Sequence, residues 1–110
     1  MLNLKDKTAV ITGGGSGIGR AIATLFAKQG ANVHIIELTE DAAKNTLLDI
    51  HTEGSPATAH ACNVADQTAV LATFAKIGRV DILVNNAGIA HIGNVESTSE
   101  ADFEIGRAHV

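Results

Sequence analysis

Thr8-Ala9-Val10-Ile11-Thr12-Gly13-Gly14-Gly15-Ser16-Gly17-Ile18-Gly19 runs from a short apolar stretch straight into five glycines within seven positions. Residues 8–11 are too few for a helix and carry no polar break, as a strand buried on both faces requires. From Ile18 onward the apolar positions Ile22, Leu25 and Phe26 recur at helical spacing, and Gly30 supplies a stop. A glycine turn between a strand and a helix gathers backbone N–H groups and the partial positive charge of a helix N-terminus in one place. One glycine there would mean only a tight turn; five favour a loop that holds phosphate.

The same alternation continues outward. Residues 33–36 form a second short strand rich in β-branched side chains. Thr39 caps a second helix with Glu40 and Asp41 in its first turn, and Ala43, Leu47 and Ile50 make its buried stripe. Gly54-Ser55-Pro56 ends that helix, and residues 57–62 make a weaker third strand. Asp66 caps a third helix whose Val70, Phe74 and Ile77 share a face, closed by Gly78. Ile82-Leu83-Val84 is the fourth strand. Two capping boxes, Ser97 with Glu100 and Ser99 with Asp102, predict a fourth helix starting near them. Strands that alternate with helices across short connections fold as an α/β domain, a doubly wound parallel sheet.

Composition narrows the function. The 110 residues are 45% hydrophobic and 18% charged, as in a globular domain. The net charge of −4, with no basic run, argues against nucleic acid and against an anionic membrane surface. No apolar run approaches a membrane span, and the charged N-terminus is unlike a signal peptide. Cys62 is the sole cysteine, which leaves no disulfide framework and predicts a cytoplasmic setting. The five histidines show no metal-ligand spacing, since His60-x-Cys62 supplies too few ligands for zinc.

Two common phosphate loops can be excluded by inspection. Gly14 to Gly19 has the spacing of a Walker loop, but Arg20 and Ala21 stand where its Lys and hydroxyl residue belong. The strict G-x-G-x-x-G pattern fails in every register. Gly13-x-x-x-Gly17-x-Gly19 after Thr12 instead reads T-G-x-x-x-G-x-G, which resembles the short-chain dehydrogenase/reductase family. Asp81-Ile82-Leu83-Val84-Asn85-Asn86-Ala87-Gly88 is similar to a second segment of that family, D-x-L-V-N-N-A-G. An Asn-Gly-rich strand exit occurs in many α/β proteins, but two motifs at the ends of the right strands make the likeness specific. It spans about residues 4–103 and implies a Rossmann-like domain, here its first four βα units.

The resemblance implies that Gly13, Ser16, Gly17, Ile18 and Gly19 hold the pyrophosphate of a dinucleotide. It implies that Asn86 bridges the central strands and meets the cofactor, and that Ala87 and Gly88 lie against its ribose. Glu37 ends the second strand 18 residues after Gly19, near the spacing of about 20 for an acid on the adenosine ribose. Such a carboxylate accepts from a 2′-hydroxyl and repels a 2′-phosphate. Neither Ser16 nor Leu38, where the family often carries a basic residue for NADP, is charged, so NAD is favoured over NADP. Taken alone, Glu37 reads equally as a solvated acid before a helix. Asn63 and Val64 occupy the family's adenine-contacting Asp-Val slot; the Asn departs from it but retains an acceptor oxygen. His91 is a candidate for the nicotinamide end of the cleft, or an ordinary surface residue.

By the same resemblance, the full-length protein would be an NAD-dependent enzyme interconverting an alcohol and a carbonyl, a homo-oligomer of dimer or tetramer type. The family's acid/base is a Tyr followed four residues later by a Lys, assisted by a Ser. This chain contains no Tyr, so no catalytic residue can be assigned and the chain by itself is expected to be inactive. Residues 1–104 read as the NAD(P)-binding domain. Ile105-Gly106-Arg107-Ala108-His109-Val110 departs from the family and reads as the translation of a common sequencing adapter, a non-native tail. With such an ending the fourth strand is expected to present an open apolar edge. The alternatives are a non-catalytic dinucleotide-binding module and an inert truncated fragment.

Overall fold

The computed structural model describes residues 3–86 and, as backbone, residues 104–109. β1 (Thr8–Thr12) is the central strand, and its residues from Ala9 to Thr12 are all buried, which accounts for the unbroken apolar run. Its side chains alternate between two cores. Ala9 and Ile11 face one, with Val33, Ile35, Ala43 and Ile50; Val10 faces the other, with Ile36, Val70, Phe74 and Leu83.

Helix α1 (Gly17–Lys28) connects β1 to β2 (Asn32–Glu37). A 3-10 turn at Asp41–Ala43 then leads into α2 (Lys44–Thr52) and on to β3 (Ala57–Ala61). These elements build the first core. α3 (Gln67–Ile77) crosses to the opposite face and delivers the chain to β4 (Arg79–Asn85) beside β1. The sheet order is β3-β2-β1-β4-β5, all parallel, so the doubly wound α/β expectation holds. The order reverses between β1 and β4, and a crevice opens beyond the carboxyl ends of strands at such a switch point.

Local signals in the sequence act as expected at the helix ends. Asp66 accepts a hydrogen bond from the Ala69 N–H at 3.2 Å and starts α3. Gly30, Gly54 and Gly78 follow the three helices with φ of 99°, 85° and 88°, where a side chain would be strained. The Thr39 hydroxyl accepts from Ala42 N–H at 3.3 Å, but it opens the 3-10 turn, and the α-helix proper begins at Lys44. At the other end of the central strands, the Thr8 N–H and Arg79 Nε both donate to Asp81 at 2.9 Å. The Thr8 bond chiefly, with Arg79 assisting against partial burial, holds the Asp81 carboxyl below its ordinary range.

Two expectations are corrected. The buried face of α1 consists of Gly19, Ala23 and Ala27; Ile22 and Phe26 pack at its margins, and Leu25 is 51% exposed. Small residues allow the helix to lie close on the sheet, and the closer it lies the less room the large ones find beneath it. Secondly, the edge of β4 is paired from Arg79 to Leu83. β5 (Glu104–His109) pairs with it from Arg79↔Glu104 to Leu83↔His109, with a register shift between Val80 and Ile82. The segment set apart by its sequence thus supplies the main-chain partners that β4 would otherwise lack. The helix expected near Ser97 or Ser99 lies outside the described residues.

Candidate functional site

The glycine loop occupies the carboxyl end of β1. Gly13 has a φ of 69°, and its N–H donates to the Ile36 carbonyl at 2.8 Å, keeping the loop's first residue against β2. Gly17, with a φ of 57°, opens α1, and a Cβ on it would meet nothing within 4 Å. Ser16 is the N-cap in extended conformation; its hydroxyl makes no capping bond, while its carbonyl accepts from Arg20 N–H at 3.2 Å. Ile18, at the start of the helix, is 73% exposed.

Three glycines exist because something else is already there. A Cβ on Gly19 would stand 2.1 Å from the Gly13 carbonyl oxygen and 2.5 Å from Asn86 Nδ2. A Cβ on Gly15 would stand 2.1 Å from the Ala42 carbonyl oxygen and 2.7 Å from Glu37 Oε2. On Gly14 it would press the Ile35 side chain at 2.9 Å. The loop is therefore held between the first turn of α1 and the segment that joins β2 to α2.

Side chains complete the frame. Asn86 Nδ2 donates to the Gly13 carbonyl at 3.1 Å, tying the end of β4 to the loop. The Thr12 hydroxyl lies 3.4 Å from the Val84 carbonyl and 3.3 Å from Asn85 Oδ1, reinforcing the same junction. Glu37 Oε2 accepts from Gly15 N–H at 2.7 Å. The buried Thr46 hydroxyl donates to the Gly14 carbonyl at 2.9 Å.

Gly13, Ile36, Glu37, Leu38, Cys62, Asn63 and Val64 line a cavity of about 210 Å³ at the carboxyl ends of β1, β2 and β3. Four of the residues singled out from sequence, Gly13, Glu37, Asn63 and Val64, thus converge on one hollow. Asn63 is exposed, and its Oδ1 accepts from Ala65 N–H at 2.9 Å, a local turn that engages the acceptor oxygen the adenine slot would use. Leu38, 68% exposed, is an apolar wall of this hollow. Ala87, Gly88 and His91 lie outside the described residues. A larger hollow of about 340 Å³, bordered by Lys28, Asp49 and Ser55, sits between the far ends of α1 and α2, away from the loop.

Sequence inspection missed Thr46 and the Gly15 contact to Glu37. Neither leaves a signal along the chain, because Thr46 is 32 residues from Gly14 and an ordinary helical threonine by pattern. It also missed that His34 and His60 meet on the α3 side of the sheet, Nδ1 to Nε2 at 2.9 Å with rings stacked. Burial chiefly, and the neighbouring His60, push the His34 imidazole down to about 4. Burial and Lys76 lower His60, with Glu40 opposing. Among the described residues no group of three metal-binding side chains occurs, and no helix is long and apolar enough to cross a membrane.

The family described as short chain dehydrogenase matches residues 7–105. An uncharacterized oxidoreductase of Thermotoga maritima is 44% identical over 105 residues, covering 94% of this chain and 42% of that protein. Among solved structures, a 7α-hydroxysteroid dehydrogenase complexed with NADH and 7-oxo glycochenodeoxycholic acid superposes with a TM-score of 0.69 at 39% identity, over 76% of this chain and 34% of its own. A metagenomic short-chain oxidoreductase in complex with NADP reaches a TM-score of 0.75 at 34% identity, over 78% and 40%. The chain spans between about a third and two fifths of the length of these relatives.

Proposed function

The chain belongs to the short-chain dehydrogenase family, and from that premise we propose that it is the NAD-binding part of an oxidoreductase that interconverts an alcohol and a carbonyl. The observation that carries the reading is Glu37, which shares a cavity with Gly13, Asn63 and Val64 at the carboxyl ends of β1, β2 and β3. A carboxylate at that point accepts from the adenosine ribose and repels a 2′-phosphate, which favours NAD over NADP. Relatives of this fold take either cofactor, so the choice falls to such local groups.

In this reading Gly13, Ser16, Gly17, Ile18 and Gly19 receive the pyrophosphate at the N-terminus of α1, where N–H groups and the helix dipole favour an anion. The fit is supported by a loop that excludes side chains at Gly15 and Gly19 yet leaves open space above Gly17. Asn63 and Val64 flank the adenine, with Leu38 as an added apolar wall. Asn86, Ala87 and Gly88 border the ribose nearer the nicotinamide. The bound dinucleotide would supply hydride chemistry; these residues bind and orient it.

The substrate would be a small alcohol or ketone and the whole protein a cytoplasmic homo-oligomer. The chain alone would turn over neither substrate type, because its sequence holds no Tyr to act as the family's acid/base. We also propose that residues 105–110 are not native; resequencing that reads past Phe103 into a Tyr-x-x-x-Lys segment would support this, and an unchanged reading would overturn it. Calorimetric titration with NAD and NADP tests the main proposal. Tighter binding of NAD is the expected result, and tighter NADP binding or no binding of either would refute it.

A further inference from the structure

The Gly14 carbonyl and the Gly15 N–H belong to one peptide group, and each is taken by a different side chain. Thr46 Oγ1 donates to the carbonyl at 2.9 Å, and Glu37 Oε2 accepts from the N–H at 2.7 Å. The described chain has no cis peptide bond, so the two groups point in opposite directions from a common plane. Thr46 thus grips that plane from α2 and Glu37 grips it from the end of β2.

Such a grip matters most at a Gly-Gly link, where nothing intrinsic selects one orientation. Turning the plane over would aim the Gly14 carbonyl at the Glu37 carboxylate and the Gly15 N–H at the Thr46 hydroxyl. The first contact sets two acceptors against each other. Thr46 is fully buried, and its hydroxyl reaches across 32 residues, although a helical threonine commonly bonds a carbonyl of its own preceding turn. A Cβ on Gly15 would stand 2.1 Å from the Ala42 carbonyl, so the link lies close against the 3-10 turn that leads into α2.

We propose that Thr46 is a positioning residue of the dinucleotide site: by orienting the Gly14–Gly15 peptide it fixes one oxygen of Glu37, leaving the other for the ribose hydroxyls. The inference rests on the dinucleotide reading above and assigns a task to a residue that touches no cofactor. It makes cofactor discrimination depend on α2 as well as on the acid itself.

Amide hydrogen exchange and NMR on the ¹⁵N-labelled chain test the grip without any ligand. In the wild type the Gly15 amide is protected, and its proton resonance moves when Glu37→Gln replaces the carboxylate that accepts from it. Thr46→Val keeps the shape and removes the donor; Gly15 exchange then speeds up, while amides of β1 stay as they were. NAD affinity falls by about three- to tenfold, the scale of one lost hydrogen bond, and the preference for NAD over NADP narrows. Thr46→Ser restores both. Unchanged Gly15 exchange in Thr46→Val, or a Thr46→Ser variant as impaired as the valine, overturns the proposal. Should the valine variant not fold, a Gly15 resonance and exchange rate unmoved by Glu37→Gln overturn it equally. A protected Gly15 in a wild-type chain that binds no NAD refutes the dinucleotide reading instead, and the positioning role with it.

Discussion

Asn86 Nδ2 lies 3.1 Å from the Gly13 carbonyl oxygen, and a Cβ added to Gly19 would intrude on both partners, at 2.5 Å and 2.1 Å. The end of β4, the start of the glycine loop and the first turn of α1 therefore meet at one point with no space for a methyl group. The loop's shape is a consequence of that meeting.

Gly19→Ala should accordingly destabilise the fold, because backbone at 2.1 Å cannot yield as a flexible side chain does. A cost of roughly 1–3 kcal/mol is expected, typical of overpacking. Urea denaturation of the wild type and variant measures it; equal midpoints would show that the loop can open.

Gly17→Val tests the opposite situation. The site has open space, so the penalty comes only from a φ of 57°, about 1–2 kcal/mol for an L-residue. The branched side chain would, however, stand where the pyrophosphate is expected. NAD binding by calorimetry should be lost while the folded signal persists, and undiminished binding would mean the phosphates lie elsewhere.

Glu37→Ala removes both the acid and the acceptor for the Gly15 N–H. NAD affinity should fall and NADP affinity should rise relative to it, as the 2′-phosphate no longer meets a carboxylate. A ratio of the two dissociation constants equal to that of the wild type would separate Glu37 from cofactor choice.

Stability should decline as pH falls from about 6.5 towards 4. In the unfolded chain His34 takes up a proton near its ordinary value of 6.5, whereas burial holds the folded ring down to about 4. Between those values unfolding absorbs a proton, so acid favours the unfolded chain. The His60 shift acts in the same direction. Because these rings are partly exposed, a loss of about 1–2 kcal/mol is expected after allowing for solvent screening. Denaturation at pH 7 and pH 5 would show the decline in the wild type and a smaller one in His34→Gln. An equal decline in both would move its origin away from this pair.

The sequence alone determined what depends on near neighbours. Short apolar runs and helical spacing located β1 to β4 and α1 to α3, and the Asp66 cap and the glycines after each helix marked their limits. The family resemblance, with the spacing of Glu37 from the glycines, was enough to pick out Gly13, Glu37, Asn63 and Val64, which share one cavity because strand ends in a parallel sheet all emerge on one side. What only the tertiary structure decided is how closely those elements approach. The exposure of Leu25 follows from the depth at which α1 sits, and periodicity carries direction but no distance. The pairing of β5 with β4, the meeting of His34 with His60, and the hold of Thr46 on Gly14 join residues far apart in the chain. Such contacts depend on which surfaces face each other after folding, and no local pattern records that.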